Sequence, residues 1–264
     1  MASTDAVKFG FRTAGYREWP LDKALESIAS VGYAGVEFCL EHPQARPEDL
    51  TSQRVGQLAQ MVSAAGLQVA SVSYHGDGEP PHERGINQEH AIQVTADMGA
   101  DVLILNAEPA QAGQERRQWD ALKGQLTRLL AAAQEARVTI ALEPEPGHFL
   151  HSSDDMMRLL REMRHPSLGV NLDVGHAFLT DEDVPQTICS LGDNIVHTHV
   201  EGMPAGRHSH LVPGEGDLDL TRVHVTLQSI GYAGYYTVDL FQITDAPEQY
   251  ARRSLEALRR ITAG

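Results

Sequence analysis

Four places in the sequence carry side chains suited to gripping a cation. Glu143 ends the run "VTIALE", Asp173 ends "LGVNLD", a histidine lies near the end of "NIVHTHV", and Asp239 lies near the end of "YYTVDLF". Carboxylates brought close together repel, and the arrangement is costly unless a proton or a cation neutralises it. An oxygen-rich set with one imidazole suits one divalent metal: Mn²⁺, Mg²⁺, Co²⁺ or Zn²⁺. His176 follows Asp173 by three residues, within reach of whatever such a metal holds. Asp173 has a second reading, as the cap of a following helix. His197 and His199 lie two apart on one strand and face the same side, so spacing leaves both open as the imidazole.

These residues converge only if their runs share one end of a sheet. Eight short aliphatic or β-branched runs cover residues 7–12, 35–39, 68–74, 101–105, 138–143, 168–173, 194–200 and 235–241. They are continuous rather than alternating, which predicts strands buried on both faces. Helical stripes lie between them. Leu21, Ala24, Leu25 and Ile28 form one, Trp119, Leu122, Leu126, Leu129, Leu130 and Ala133 another, and Met156, Leu159, Leu160 and Met163 a third. "SVGYAG", "AAGLQ", "DMGAD" and "SIGYAG" each place a glycine after a helix and shortly before a strand. Eight strand–helix units in 264 residues predict a single (β/α)8 TIM barrel spanning 1–264. A doubly wound sheet would want a glycine-rich turn after its first strand, and "FRTAGYREWP" has one glycine there.

In a barrel the C-terminal strand ends face one mouth. His75 and Asn106 end the third and fourth strands and are expected to line the pocket. Glu145, just past Glu143, is placed to bind a substrate hydroxyl. His210 precedes the glycine-rich turn "VPGEG", which is expected to close over the mouth, and Arg207 in the same loop could bind a substrate oxygen. Glu37, in the second strand, reads equally as a wall acid or a site residue. The stretch "YHGDGEPPHERG" (74–85) is expected to be a loop over the mouth.

The motifs "ALEPEPG", "NLDVGHAFL", "HTHVEGM" and "HSHLVPGEGDLDL", with "GYAGVEF" on the second strand, resemble the sugar phosphate isomerase/epimerase family, the xylose-isomerase-like barrels. The resemblance runs from strand one to the last helix. It implies a divalent metal held by Glu143, Asp173, His199 and Asp239, and so favours His199 over His197. It also implies that Glu143 and Asp239 double as acid and base, and that His176 touches substrate. The family usually has Glu where this chain has Asp239, one methylene shorter. The implied reaction is isomerisation or epimerisation beside a carbonyl of a small sugar or polyol, through an enediolate, in a homodimer or homotetramer. A dehydratase could use the same metal. An AP-endonuclease-like enzyme would need further histidines, and strand four ends on Asn106; "HSH" (208–210) could nonetheless assist a second metal with His176. A non-catalytic sugar-binding protein is a third alternative.

Bulk properties narrow the partners. A formal charge of −15 disfavours nucleic acid and anionic membranes. No apolar run is long enough to span a bilayer. The first residues lack a basic start followed by an apolar stretch. Cys39 and Cys189, both in apolar sequence surroundings, read as reduced core thiols, so the expected location is the cytoplasm.

Overall fold

The computed structural model describes residues 7–263. The first six residues, on which the leader reading partly rests, lie outside that range, as does the last. Eight parallel strands close into a barrel in sequence order. They are β1 (Lys8–Arg12), β2 (Gly35–Cys39), β3 (Gln68–Ser73), β4 (Val102–Asn106), β5 (Thr139–Glu143), β6 (Leu168–Asp173), β7 (Ile195–His199) and β8 (Tyr235–Val238). Closure is made by β1, which pairs Gly10 with Gly35 of β2 on one side and with Thr237 of β8 on the other.

The helices form the outer layer. They are α1 (Leu21–Val31), α2 (Ser52–Ala64), α3 (Pro81–Asp97), α4 (Glu115–Ala136), α5 (Ser153–Met163), α6 (Val174–Thr180), α7 (Val184–Leu191), α8 (Leu220–Ser229) and α9 (Pro247–Thr262). All six residues of the stripe on α4 are buried, as are the four on α1. On α5 the buried pair is Met156 and Leu159, with Leu160 and Met163 packed at the margin. Local chemistry sets the helix ends. Ser152 accepts the Asp155 N–H while Asp155 accepts the Ser152 N–H, a reciprocal cap that starts α5. Gly32 closes α1 at φ 107°, a conformation that costs a glycine little. No helix among the described residues is long and apolar enough to cross a membrane.

Three sequence expectations are corrected. The stretch 74–85 is loop only to Pro80, because Pro81 opens α3 at its first position, where a missing N–H is harmless. Cys189 is exposed rather than core. Its neighbours Ile188 and Leu191 face inward from α7, and the helical turn carries Cys189 to the other side. Cys39 is buried, but against polar groups: its Sγ lies 2.9 Å from Glu41 Oε2, and the residue lines the mouth cavity.

Two irregularities in the sheet bear on the site. The β2–β3 register shifts between Val36 and Glu37, and the β6–β7 register between Val170 and Asn171. A bulge re-aims the residue that follows it. In each case the extra residue lies on the partner strand, Ala70 on β3 and Val196 on β7, and the residues that follow them, Ser71 and His197, meet at 3.2 Å inside the barrel.

Candidate functional site

The C-terminal strand ends gather the predicted side chains. Ligand atoms of Glu143, Asp173 and His199 all lie within 4.8 Å of one another, and all three residues are buried. His199 Nδ1 is 3.4 Å from Glu143 Oε1 and 3.8 Å from Asp173 Oδ2. Asp239 stands on the fourth side, its Oδ2 3.9 Å from the same nitrogen. That oxygen accepts a hydrogen bond from Arg12 Nη1 at 2.9 Å, so Asp239 is shared between the cluster and an arginine.

Asp173 fills both of its readings at once. Its Oδ1 caps α6 by accepting the His176 N–H at 2.7 Å. The cap fixes the carboxylate plane and leaves Oδ2 buried with no hydrogen-bond partner, facing Glu143 and His199. A buried, ionised oxygen left unpaired is costly, and a cation would remove the cost. The three-residue set therefore fits a divalent metal on its own geometry.

The two histidines of strand seven take different places. His199 Nε2 lies 2.9 Å from Glu37 Oε2, which leaves Nδ1 for the cluster. His197 lies deeper, 3.3 Å from Glu37 and 3.2 Å from Ser71 Oγ. Arg12 bridges the two layers, 3.0 Å from Glu37 and 2.9 Å from Asp239. Glu37 is thus a supporting residue of the site.

The electrostatics agree with a site built for positive charge. Burial alone would discharge the His199 imidazole, but Glu37 and Glu143 outweigh it and raise its pKa well above the usual value. Burial would likewise raise the carboxyls. His199 and His75 overcome this at Glu143, and His176 and His199 overcome it at Asp173, and both are lowered. At His75, burial and Arg12 push down, Glu143 and Glu41 push up, and the net result is about 9. Without a metal, protons on imidazoles supply the positive charge these carboxylates demand.

A cavity of about 270 Å³ opens above the cluster, lined by Glu143, Asp239, His75, Glu145, His176 and His210 among others. This is a small-molecule volume. Two predicted contacts fall elsewhere. Asn106 is not part of the cavity wall. It accepts from Arg84 Nη2 at 2.6 Å and donates to Glu145 Oε2 at 3.0 Å, standing one residue behind the wall. Arg207 is exposed on the β7–α8 loop and outside the cavity lining, because the loop turns it outward while folding His210 in.

Sequence reasoning missed three residues of the site. Arg12 ends β1, where an arginine in an apolar strand was the available signal. Glu41 accepts the backbone N–H groups of His75 and Gly76 and so holds the β3 end. Glu201 is fully buried two residues past His199 and accepts the Gly175 N–H at 2.8 Å. Burial first, and then the Asp173 carboxylate, hold its pKa well above the usual carboxylate range.

Known proteins share this architecture. Fructoselysine 3-epimerase of Shigella flexneri is 24% identical over 273 residues, covering 97% of this chain and 98% of that one. L-ribulose-5-phosphate 3-epimerase UlaE of Salmonella typhi is 25% identical, covering 83% and 82%. The structure of D-psicose 3-epimerase with D-tagatose, from Clostridium cellulolyticum H10, superimposes with a TM-score of 0.80 at 14% identity, covering 97% and 99%. The family model described as a xylose isomerase-like TIM barrel matches residues 25–261. With the barrel closed in that order and the match running over most of its length, this chain belongs to the xylose isomerase-like TIM-barrel family.

Proposed function

We propose that this protein is a divalent-metal-dependent isomerase or epimerase of a small sugar or polyol-ketone. The observation that carries the reading is the convergence of Glu143, Asp173 and His199, with Asp239 beside them, at the floor of a small-molecule cavity. Those four residues would hold the metal. When bound, it would supply Lewis-acid stabilisation of the negative charge that develops on oxygen as a neighbouring carbon is deprotonated.

The chain's own groups supply the proton chemistry. Glu143 is ionised and faces the cavity, so it removes the proton from the carbon beside the substrate carbonyl. The C–H electron pair becomes the C=C bond of the enediolate, and the carbonyl pair moves onto oxygen. Asp239, or a relay through His176 or Glu145, returns a proton. Return to the neighbouring carbon, with the hydroxyl proton passing from its oxygen to the former carbonyl oxygen, gives isomerisation; return to the opposite face of the same carbon gives epimerisation. His75, His176 and His210 line the wall and bind substrate oxygens. Two of the curated relatives are named as 3-epimerases, which supports epimerisation beside a ketone. The cavity lining carries two arginines and no lysine; Arg12 is engaged by Glu37 and Asp239 and Arg17 donates to the Phe241 carbonyl at 2.8 Å, which favours an unphosphorylated substrate.

The test is incubation with ketoses, aldoses and inososes plus Mn²⁺ in D₂O, followed by NMR. Deuterium entering at the carbon beside the carbonyl is the expected result. Substrate bound without exchange would assign a binding protein instead, and loss of water from the product would assign a dehydratase.

A further inference from the structure

We propose that a second cavity, behind the wall of the first, is a binding site for a small oxyanion, a carboxylate or a phosphate. Its volume is about 320 Å³, enough for a small metabolite. It lies between the first turns of α3 and α4 and the end of β4, with Arg84, Asn106, Gln114 and Arg117 in its lining. Asn106 is the partition between the two cavities. Its Oδ1 accepts from Arg84 Nη2, and its Nδ2 donates to Glu145, which lines the mouth cavity.

Arg84 is a buried cation with no anion beside it. The residue is 5% exposed. Its Nε donates to the His75 carbonyl at 2.7 Å, and its Nη2 donates to the Asn106 carbonyl at 2.9 Å and to Asn106 Oδ1 at 2.6 Å. Every one of those acceptors is neutral. Among the described residues Nη1 has no hydrogen-bond partner, and no carboxylate pairs with the guanidinium. Arg12 makes the contrast: it is buried to the same extent, and Glu37 and Asp239 neutralise it. A buried charge without a counter-charge is costly. An anion in the cavity that Arg84 lines would remove that cost and accept from the nitrogen left over.

The rest of the lining favours the same charge. Arg117, in the first turn of α4, is exposed and makes no hydrogen bond or ion pair through its side chain among the described residues. Among the described residues of the lining, Arg84 and Arg117 stand against one acid, Glu108. The mouth cavity is the reverse, with Glu41, Asp77, Glu143, Glu145 and Asp239 against Arg12 and Arg17. In a chain of net charge −15, a cavity lined by more positive than negative side chains departs from its surroundings. The helix ends add to it. Pro81 opens α3 and Gln114 precedes α4, both line the cavity, and neither helix has a side-chain cap on its first turn. The positive ends of two helix dipoles, a common place for bound anions, therefore border one space.

The experiment is calorimetric titration of the full chain with inorganic phosphate and with succinate at constant ionic strength. The chain is first stripped with a chelator, so that no bound cation recruits the anion. Saturable binding at one site per chain is expected for at least one of the two probes, and the tighter probe identifies the group. Arg84→Gln and Arg117→Gln are each expected to weaken that binding by about 10-fold or more. Arg17→Gln, in the mouth cavity, is expected to leave it unchanged. Arg84 also holds the His75 and Asn106 carbonyls, so Arg117→Gln decides the matter if Arg84→Gln fails to fold. Absence of saturable binding by both probes overturns the proposal. So does binding that survives Arg117→Gln intact, or that is lost in Arg17→Gln, which would put the anion in the mouth cavity.

Discussion

Glu37 Oε2 lies 2.9 Å from His199 Nε2, and this contact determines which face of the ring is offered to the carboxylate cluster. The acid comes from β2 and the imidazole from β7, so the contact spans the barrel interior. A carboxylate can only accept, so Nε2 carries a hydrogen, and Nδ1 is the nitrogen that gives up its proton to offer a lone pair when a metal binds. Replacing Glu37 by Gln puts an amide where the anion was and releases that constraint. Loss of such a supporting partner typically weakens metal affinity about 10–100-fold. Calorimetric titration of Glu37→Gln with Mn²⁺ should register a loss of that size. An unchanged affinity would mean that Glu37 does not orient His199.

A metal that binds only the folded chain must stabilise it. The unpaired Asp173 Oδ2 is where the gain originates, because its burial is uncompensated without a cation. At a free metal concentration 100-fold above the dissociation constant the stabilisation is about 2.7 kcal/mol. Thermal melts of chelator-stripped protein should therefore shift upward by several degrees when Mn²⁺ is added. Asp173→Asn, which retains a cap for α6 but loses the charge, should melt at the same temperature with and without Mn²⁺.

The barrel was legible in the sequence because its determinants are local. Continuous apolar runs and helical stripes mark buried strands and amphipathic helices, and all eight strands fall within a residue or a few of where those runs lie. The strand-end acids were legible for the same reason: topology alone carries Glu143 and Asp173 to one mouth. Glu37, Arg12 and Glu201 were not legible as site residues. Their roles depend on partners 162, 227 and 26 positions away. Arg207 was misplaced because a loop's direction is set by its own turns. Cys189 was misplaced because apolar neighbours in sequence do not fix which face of α7 a residue occupies.

Glu143 is the residue on which turnover should depend most. It belongs to the proposed ligand set and borders the cavity, and His199 and His75 keep it ionised against the effect of burial. Glu143→Gln nearly conserves shape while removing both the base and the charge. General-base removal typically costs about 10²–10⁴-fold, and kcat should fall by at least the lower figure while circular dichroism stays unchanged. His75→Asn tests the support: it should raise the Glu143 pKa and lower kcat, but by less than Glu143→Gln, since the imidazole contacts Glu143 only at 3.5 Å and His199 remains. Equal loss of kcat in both variants would remove Glu143 from its assigned role.

Gly175 leaves room for Glu201. Its N–H donates to Glu201 Oε1 at 2.8 Å, and a Cβ built on it would stand 2.2 Å from that oxygen and 2.5 Å from the Met203 terminal carbon. Neither neighbour can retreat easily, since both are fully buried. Gly175→Ala must therefore push Glu201 away from α6 and out of its place beside Asp173. Overpacking of this kind costs about 1–3 kcal/mol, and a corresponding drop in denaturant midpoint is expected. Glu201→Ala alone should also destabilise, by removing the partner of the Gly175 N–H. Combined with Gly175→Ala, it opens the space the new methyl needs, so the double variant should lose less stability than the two single losses added together. Strict additivity would show that the methyl and the carboxylate do not compete for one volume, and the close packing of Gly175 against Glu201 would then have to be abandoned as the reason for glycine there.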